Sequence, residues 1–167
     1  MARATSWVLA TFNRQGLVHS ARTAVAATAS LLAARAFRLP ETYWAAITTL
    51  IVMQSTLGAA LTVSWKRFVG TALGALVAAL ATTYVGPNAL AFGGLVLGIG
   101  LLSSALHLDR TAYRFASITL AIVMLIAHTQ PGWVVAAHRF IEVSVGIGVA
   151  LILTAVWPEV ESTSTAN

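Results

Sequence analysis

The chain has 167 residues, of which 58% are hydrophobic and only 9% charged, with a net charge of +5 and a mean hydropathy of +0.83. A soluble domain carries about 25% charged residues, so this composition excludes a fully solvated surface and requires lipid around much of the chain. There is no cysteine, which rules out disulfides and Cys-based metal or redox sites, and the positive charge lies between apolar runs, where loop placement explains it better than nucleic-acid binding.

Residues 1–16 read as an N-terminal interfacial segment without the layout of a cleaved signal peptide. Trp7 and Phe12 anchor it as a short amphipathic helix on the inner surface. A transmembrane domain over residues 17–158 then divides into six predicted spans: 17–36, 42–64, 68–85, 89–108, 113–129 and 133–157. Pro40 stands ahead of the second span, Gly86-Pro87-Asn88 closes the third, and Gln130-Pro131-Gly132 separates the last two. In hydrocarbon every backbone amide needs an internal partner, so apolar runs of this length mean helices. Trp44 and Trp65 bracket about 31 Å of helix, and Trp133 and Trp157 about 36 Å, against a hydrocarbon core of roughly 30 Å. Tryptophan favours the edges of that core, as do Tyr43, Tyr84 and Tyr113 at the ends of apolar runs. Arg22 and Arg35 frame the first span and snorkel to the two surfaces. Residues 159–167, rich in Ser and Thr, form a disordered tail.

Positive charge sets the expected orientation. Arg3, Arg14, Arg22, Lys66, Arg67, Arg110 and Arg114 fall on one side, and only Arg35, Arg38 and Arg139 on the other, so both termini are expected in the cytoplasm.

The two halves repeat each other. Ile47-Thr48-x-x-Ile51-Val52-Met53 recurs 71 residues on as Ile118-Thr119-x-x-Ile122-Val123-Met124. Arg67-Phe68 recurs 72 residues on as Arg139-Phe140, and Gly74-x-x-Val77-Ala78 recurs as Gly146-x-x-Val149-Ala150. With an odd number of spans in each half, the halves enter the membrane in opposite senses. The expected fold is therefore an all-α membrane protein whose six transmembrane helices form a 3+3 inverted-topology repeat, a transporter architecture with its site near the midplane.

One stretch is distinctive: Arg38-Leu39-Pro40-Glu41-Thr42-Tyr43-Trp44-Ala45-Ala46-Ile47-Thr48, then Ile51-Val52-Met53-Gln54 and Leu57-Gly58-Ala59. It continues as Lys66-Arg67-Phe68-Val69-Gly70-Thr71-Ala72-Leu73-Gly74. A Pro before Tyr-Trp-Ala, a Gln after an apolar triplet, and Arg-x-x-Gly-Thr-x-x-Gly together resemble the fusaric acid resistance and aromatic acid exporter family of bacterial integral membrane proteins. The resemblance implies a multi-pass protein of the bacterial cytoplasmic membrane that exports aromatic carboxylates. Many relatives carry two six-span modules, or one with a cytoplasmic domain; this chain carries one module.

Charge inside the membrane points to the site. Glu142 lies about two turns into the sixth span, and an isolated charge at depth costs about 2.5–3.5 kcal/mol on insertion scales, so it faces the bundle interior and finds a partner. Arg139, on the same helical face, supplies one. In the functional reading Arg139 attracts a carboxylate while Glu142 or His138 exchanges a proton; in the plain reading the pair only fixes helix depth. Thr48, Ser55 and Thr62, with Thr49, Thr56 and Gln54, form a polar stripe that either lines a pathway or bonds neighbouring helices and preceding carbonyls. Ser117, Thr119 and His128 are its counterparts in the fifth span, His128 reading as interfacial. Gly70-x-x-x-Gly74 and Gly94-x-x-x-Gly98 read as close helix packing, and Lys66-Arg67 and Arg110-Arg114 as topology determinants or a funnel for acidic solutes.

The leading expectation is a proton-exchanging exporter of small organic anions, a homodimer in lipid that needs no cofactor or metal. An anion channel of the same architecture and a non-transporting subunit of a larger assembly are the alternatives. An enzyme is not expected: there is no Ser/His dyad at paired spacing, no His-Glu metal motif and no pair of intramembrane aspartates.

Overall fold

The computed structural model describes residues 14–54, 56–126 and 129–158. The expected N-terminal amphipathic helix, Ser55, His128 and the tail 159–167 lie outside these residues. The described chain is all helical: α1 (Arg14–Ala36), α2 (Tyr43–Val52), α3 (Leu57–Tyr84), α4 (Ala89–Ala105), α5 (Arg110–Leu125) and α6 (Gly132–Val156). Three helical stretches, Gly16–Ala36, Leu57–Tyr84 and Gly132–Val156, are long and apolar enough to cross a bilayer. At 1.5 Å per residue the 28 residues of α3 span about 42 Å, whereas the 10 residues of α2 span about 15 Å.

The helices differ from expectation at one instructive place. A single helix over 42–64 gives way to α2, a short break, and an α3 that runs on through Lys66-Arg67. Met53 leaves the helix with φ −61° and ψ 116°, and Thr56 starts the next one by accepting the amide of Ala59 at 3.3 Å. Hydropathy averaged over a whole span does not register this break, because Gln54-Ser55-Thr56 is a short polar interruption between two apolar runs. What makes it tolerable is a donor from elsewhere: a guanidinium nitrogen of Arg22, on α1, donates to the carbonyl of Gln54. Its other terminal nitrogen donates to the carbonyl of Trp157 at 2.8 Å, just past the end of α6. Arg22 is fully buried and does not snorkel. It ties the C-terminal ends of α2 and α6 together, where helix dipoles favour a cation. The same bond places the first turns of α1 and the last turn of α6 at one end of the bundle.

Tight packing sets the helix order. A Cβ on Gly70 would lie 2.4 Å from the Ala112 carbonyl oxygen, and one on Gly74 would lie 2.3 Å from that of Ala116. The numbers rise together, so α3 and α5 run parallel with backbones in contact. A Cβ on Gly146 would lie 2.4 Å from the Ala45 carbonyl oxygen, while the Glu41 amide donates to Glu142, so α2 and α6 are parallel as well. Between these pairs α3 crosses α6 antiparallel, with Phe68 against Phe140 at 5.0 Å and Gly132 against Thr82. The apolar core lies among α3, α4, α5 and α6, around Ala78, Ala116, Leu120 and Val123. The α4 stripe Gly94-x-x-x-Gly98 behaves differently from expectation: nothing lies within 4 Å of a Cβ built on either glycine.

Two helices end alike. After α1, Leu39 N–H donates to the Ala34 carbonyl at 3.1 Å and Arg38 N–H to Arg35 at 2.9 Å, with Arg38 at φ 54°. After α4, Leu108 N–H donates to Ser103 at 2.8 Å and His107 N–H to Ser104 at 3.1 Å, with His107 at φ 54°. Both are paired-carbonyl C-terminal caps whose left-handed residue is not glycine, a conformation that costs about 1–2 kcal/mol.

Candidate functional site

The charged residues expected at the centre are there, with an additional member. Arg139 is 2% exposed and Glu142 is completely buried, seven and ten residues into α6. The loop 37–42 descends beside them and brings Glu41, whose carboxylate meets an Arg139 terminal nitrogen at 2.6 Å. Glu142 holds the other side of the guanidinium at an ion-pair distance of 3.5 Å. Its second oxygen accepts the Glu41 backbone amide at 2.9 Å. Trp44 lies under Arg139, the guanidinium carbon 4.0 Å from the ring centroid. Trp44 is therefore a wall of this cluster and not a residue of the interfacial belt, unlike Trp65 and Trp133, which are 68% and 61% exposed.

A second buried guanidinium lies nearby. Arg67, expected in a loop, sits inside α3 and is 5% exposed. Its Nε and Nη2 donate to the Thr48 hydroxyl at 3.3 and 3.1 Å, and its charged carbon stands 4.7 Å from the Phe115 ring centroid. Phe68 and Phe140, the residues that follow the two arginines, meet at 5.0 Å. Of the cations counted on the inner side, Arg22 and Arg67 are thus buried in helices, and Lys66 pairs with Asp109 at 2.7 Å. That exposed pair caps α5: the Lys66 ammonium first, and the Thr111 amide second, hold the Asp109 carboxyl down at about 2.

The remaining expected residues are spread unevenly. Thr48 is buried against Arg67. Thr119 is buried, but its hydroxyl donates to the Phe115 carbonyl one turn back at 2.9 Å. Thr49 and Thr62 do the same, toward Ala45 and Gly58 at 3.0 Å each, although Thr49 also reaches the Gly146 carbonyl of α6 at 3.0 Å. Gln54 contributes its backbone carbonyl to Arg22 at the α2–α3 break. His138 is half-buried and forms no hydrogen bond or ion pair among the described residues. Arg110 and Arg114, with Ser103, His107 and Tyr113, line an open groove of about 720 Å³ between α4 and α5 at one end of the bundle. Among the described residues no cluster of His, Asp and Glu has the makings of a metal site.

Sequence reasoning passed over Glu41, Arg67, Arg22 and Trp44. Arg67 carried a readable signal, because the repeat already paired it with Arg139, a residue assigned to the interior. Glu41 also carried one: only five acidic residues occur in the whole chain, and this one follows Pro40 inside the distinctive stretch.

Apolar helices of membrane-crossing length around buried charge define a multi-pass integral membrane protein with a polar centre. A family model described as fusaric acid resistance protein-like matches residues 25–153. The chain belongs to that family, and membership makes it a membrane transporter-like protein. No curated protein and no solved structure matches it.

Proposed function

We propose that the protein exports small organic anions, aromatic carboxylates among them, across the bacterial cytoplasmic membrane. The observation that carries this reading is the cluster of Arg67, Arg139, Glu41 and Glu142, with both guanidiniums and one carboxylate buried inside apolar helices. Buried intramembrane charge is costly and marks ion and proton pathways. Arginine suits a planar carboxylate, offering a fork of donors that matches its two oxygens. In this reading Arg139 and Glu142 set the charge of the site, Thr48 adds a hydroxyl beside Arg67, Thr119 lies one turn beyond Phe115, Gln54 sits at the helix break, and Glu142 or His138 carries the proton. No step in it is enzymatic.

The architecture we propose is six crossings in two oppositely oriented triplets spanning residues 17–158, with both termini cytoplasmic, in a homodimer. Matching pairs support the repeat. Arg67 lies over Phe115 as Arg139 lies over Trp44. Gly74 meets Ala116 as Gly146 meets Ala45, and Phe68 meets its own counterpart Phe140. The Arg22–Trp157 bond at one end of the bundle supports termini on a common side. The short α2 completes its crossing with non-helical backbone, which membrane interiors accept where protein buries it.

The test is efflux from proteoliposomes loaded with labelled benzoate, salicylate or 4-hydroxybenzoate under an inside-negative potential, with neutral benzamide as control. Acid-selective flux that Glu142→Gln renders insensitive to pH supports the reading. Absence of flux for every acid removes it.

A further inference from the structure

Arg67 and Arg139 occupy corresponding places in the two halves, but among the described residues only Arg139 has a carboxylate counter-ion. Arg139 holds Glu41 at 2.6 Å and Glu142 at 3.5 Å. By the offsets of the repeat, Glu142 shifted back by 72 falls on Gly70, and Glu41 shifted forward by 71 falls on Ala112. Those two positions are in contact, since a Cβ on Gly70 would lie 2.4 Å from the Ala112 carbonyl oxygen. Where one half places two carboxylates, the other closes backbone on backbone. Arg67 is left with the Thr48 hydroxyl as its hydrogen-bond acceptor and the Phe115 ring at its face. No carboxylate meets it among the described residues, although it is 5% exposed. A hydroxyl accepts a hydrogen bond but carries no charge, and a buried guanidinium without a counter-charge is a strongly unfavourable arrangement.

A second group beside it is also unsatisfied. Ser64 lies one turn before Arg67 on α3, is 4% exposed, and its hydroxyl has no hydrogen-bond partner among the described residues. A donor without an acceptor and a cation without an anion on adjacent turns of one helix are both completed by a single ligand, a carboxylate.

We propose that Arg67, with Thr48 and Ser64 beside it, is the contact for the carboxylate of the transported anion, while Arg139 is neutralised from within by Glu41 and Glu142. The proposal rests on the anion-transport reading and deepens it by naming the residue that the substrate meets. It assigns the site to one half of the repeat and gives the other half a permanent internal stand-in for the same ligand. The ligand class is a small carboxylate with one negative charge, since one guanidinium is to be matched.

The full-length protein in detergent provides the test, read by isothermal titration and thermal unfolding with benzoate, salicylate and acetate, and with benzamide as the neutral control. The expected result is that at least one acid binds and raises the melting temperature while benzamide does neither. Arg67→Gln should weaken that binding at least tenfold. Thr48→Asp, close to threonine in size, supplies a carboxylate where the hydroxyl now touches Arg67. It should leave the unliganded melting temperature at or above wild type while binding falls at least tenfold. If Arg67→Gln fails to fold, Thr48→Asp decides alone. The proposal is overturned if no acid binds the wild type, or if Thr48→Asp binds as the wild type does. Flux in proteoliposomes separates the two readings: transport that persists unchanged in Thr48→Asp removes the Arg67 site and leaves transport standing. Binding that Thr48→Asp abolishes, in a protein without flux, keeps the site and removes transport.

Discussion

Gly70-x-x-x-Gly74 and Gly94-x-x-x-Gly98 are the same motif in the sequence, and the fold makes opposite demands on them. Consider Gly74→Ala. The new Cβ would stand 2.3 Å from the Ala116 carbonyl oxygen and 2.9 Å from the Ala116 Cα. Both are backbone atoms of α5, so no side chain can rotate away, and α3 and α5 must separate along their whole parallel contact. Overpacking of this kind costs typically 1–3 kcal/mol, and at Gly74 the upper part of that range is expected. Gly94→Ala introduces the same methyl where nothing lies within 4 Å. There the change removes only the poor helix propensity of glycine and should be neutral or stabilising by up to about 1 kcal/mol. The assay is reversible unfolding of each variant in mixed micelles, followed by circular dichroism against wild type. The reasoning is refuted if Gly74→Ala is as stable as wild type, or if Gly94→Ala is the more damaged of the two.

Arg22→Ala removes both donors from the Gln54 and Trp157 carbonyls and leaves two part-buried acceptors unpaired; with about 1–3 kcal/mol for each, a loss of about 2–6 kcal/mol in the same assay is expected. Arg22→Lys, with a compact ammonium in place of a fork, should recover only part of it. Glu41→Gln breaks the 2.6 Å ion pair with the buried Arg139 and should destabilise the protein by about 3–5 kcal/mol, whereas Glu142→Gln, at the longer contact, should cost less. A proton on Glu142 leaves Arg139 with one counter-charge instead of two, so anion affinity should rise as pH falls, and Glu142→Gln should remove that dependence in titration calorimetry. Asp109 is held below the ordinary carboxylate range, at about 2. Its contribution is therefore complete above its unfolded pKa, near 4, and is lost as pH falls through the folded value, so Asp109→Asn should flatten the acid limb of the stability curve between about 4 and 2.

Composition and hydropathy were enough to read an all-helical membrane protein, and the distinctive stretch from Arg38 to Gly74 was enough for its family. The burial of Arg139 and Glu142 also followed from the sequence, because a charge inside an apolar run has few places to go. What escaped was set by long-range partners. The break after Val52 coincides with Gln54-Ser55-Thr56, but read locally these fit a polar stripe on one continuous helix; Arg22, more than thirty residues earlier in the chain, satisfies the Gln54 carbonyl. Lys66-Arg67 looked like a loop because two adjacent cations usually are one, yet Asp109 and Thr48 come from other helices to receive them. Trp44 at the end of an apolar run read as an interfacial anchor, since nothing local announced that Arg139 would lie across its face.

The pairing of α2 with α6 and of α3 with α5 bears on how the chain is made. Each intimate contact joins a helix emerging early from the ribosome to one emerging late. Until α5 is synthesised, the glycine groove of α3 has only lipid to fill it, and the ion pair of Glu41 with Arg139 forms only once a segment about a hundred residues further on has been made. Insertion and folding are thereby uncoupled: the early helices must reside in the bilayer half-assembled, and a nascent chain stalled before α5 would present an unfilled helix groove to quality-control proteases.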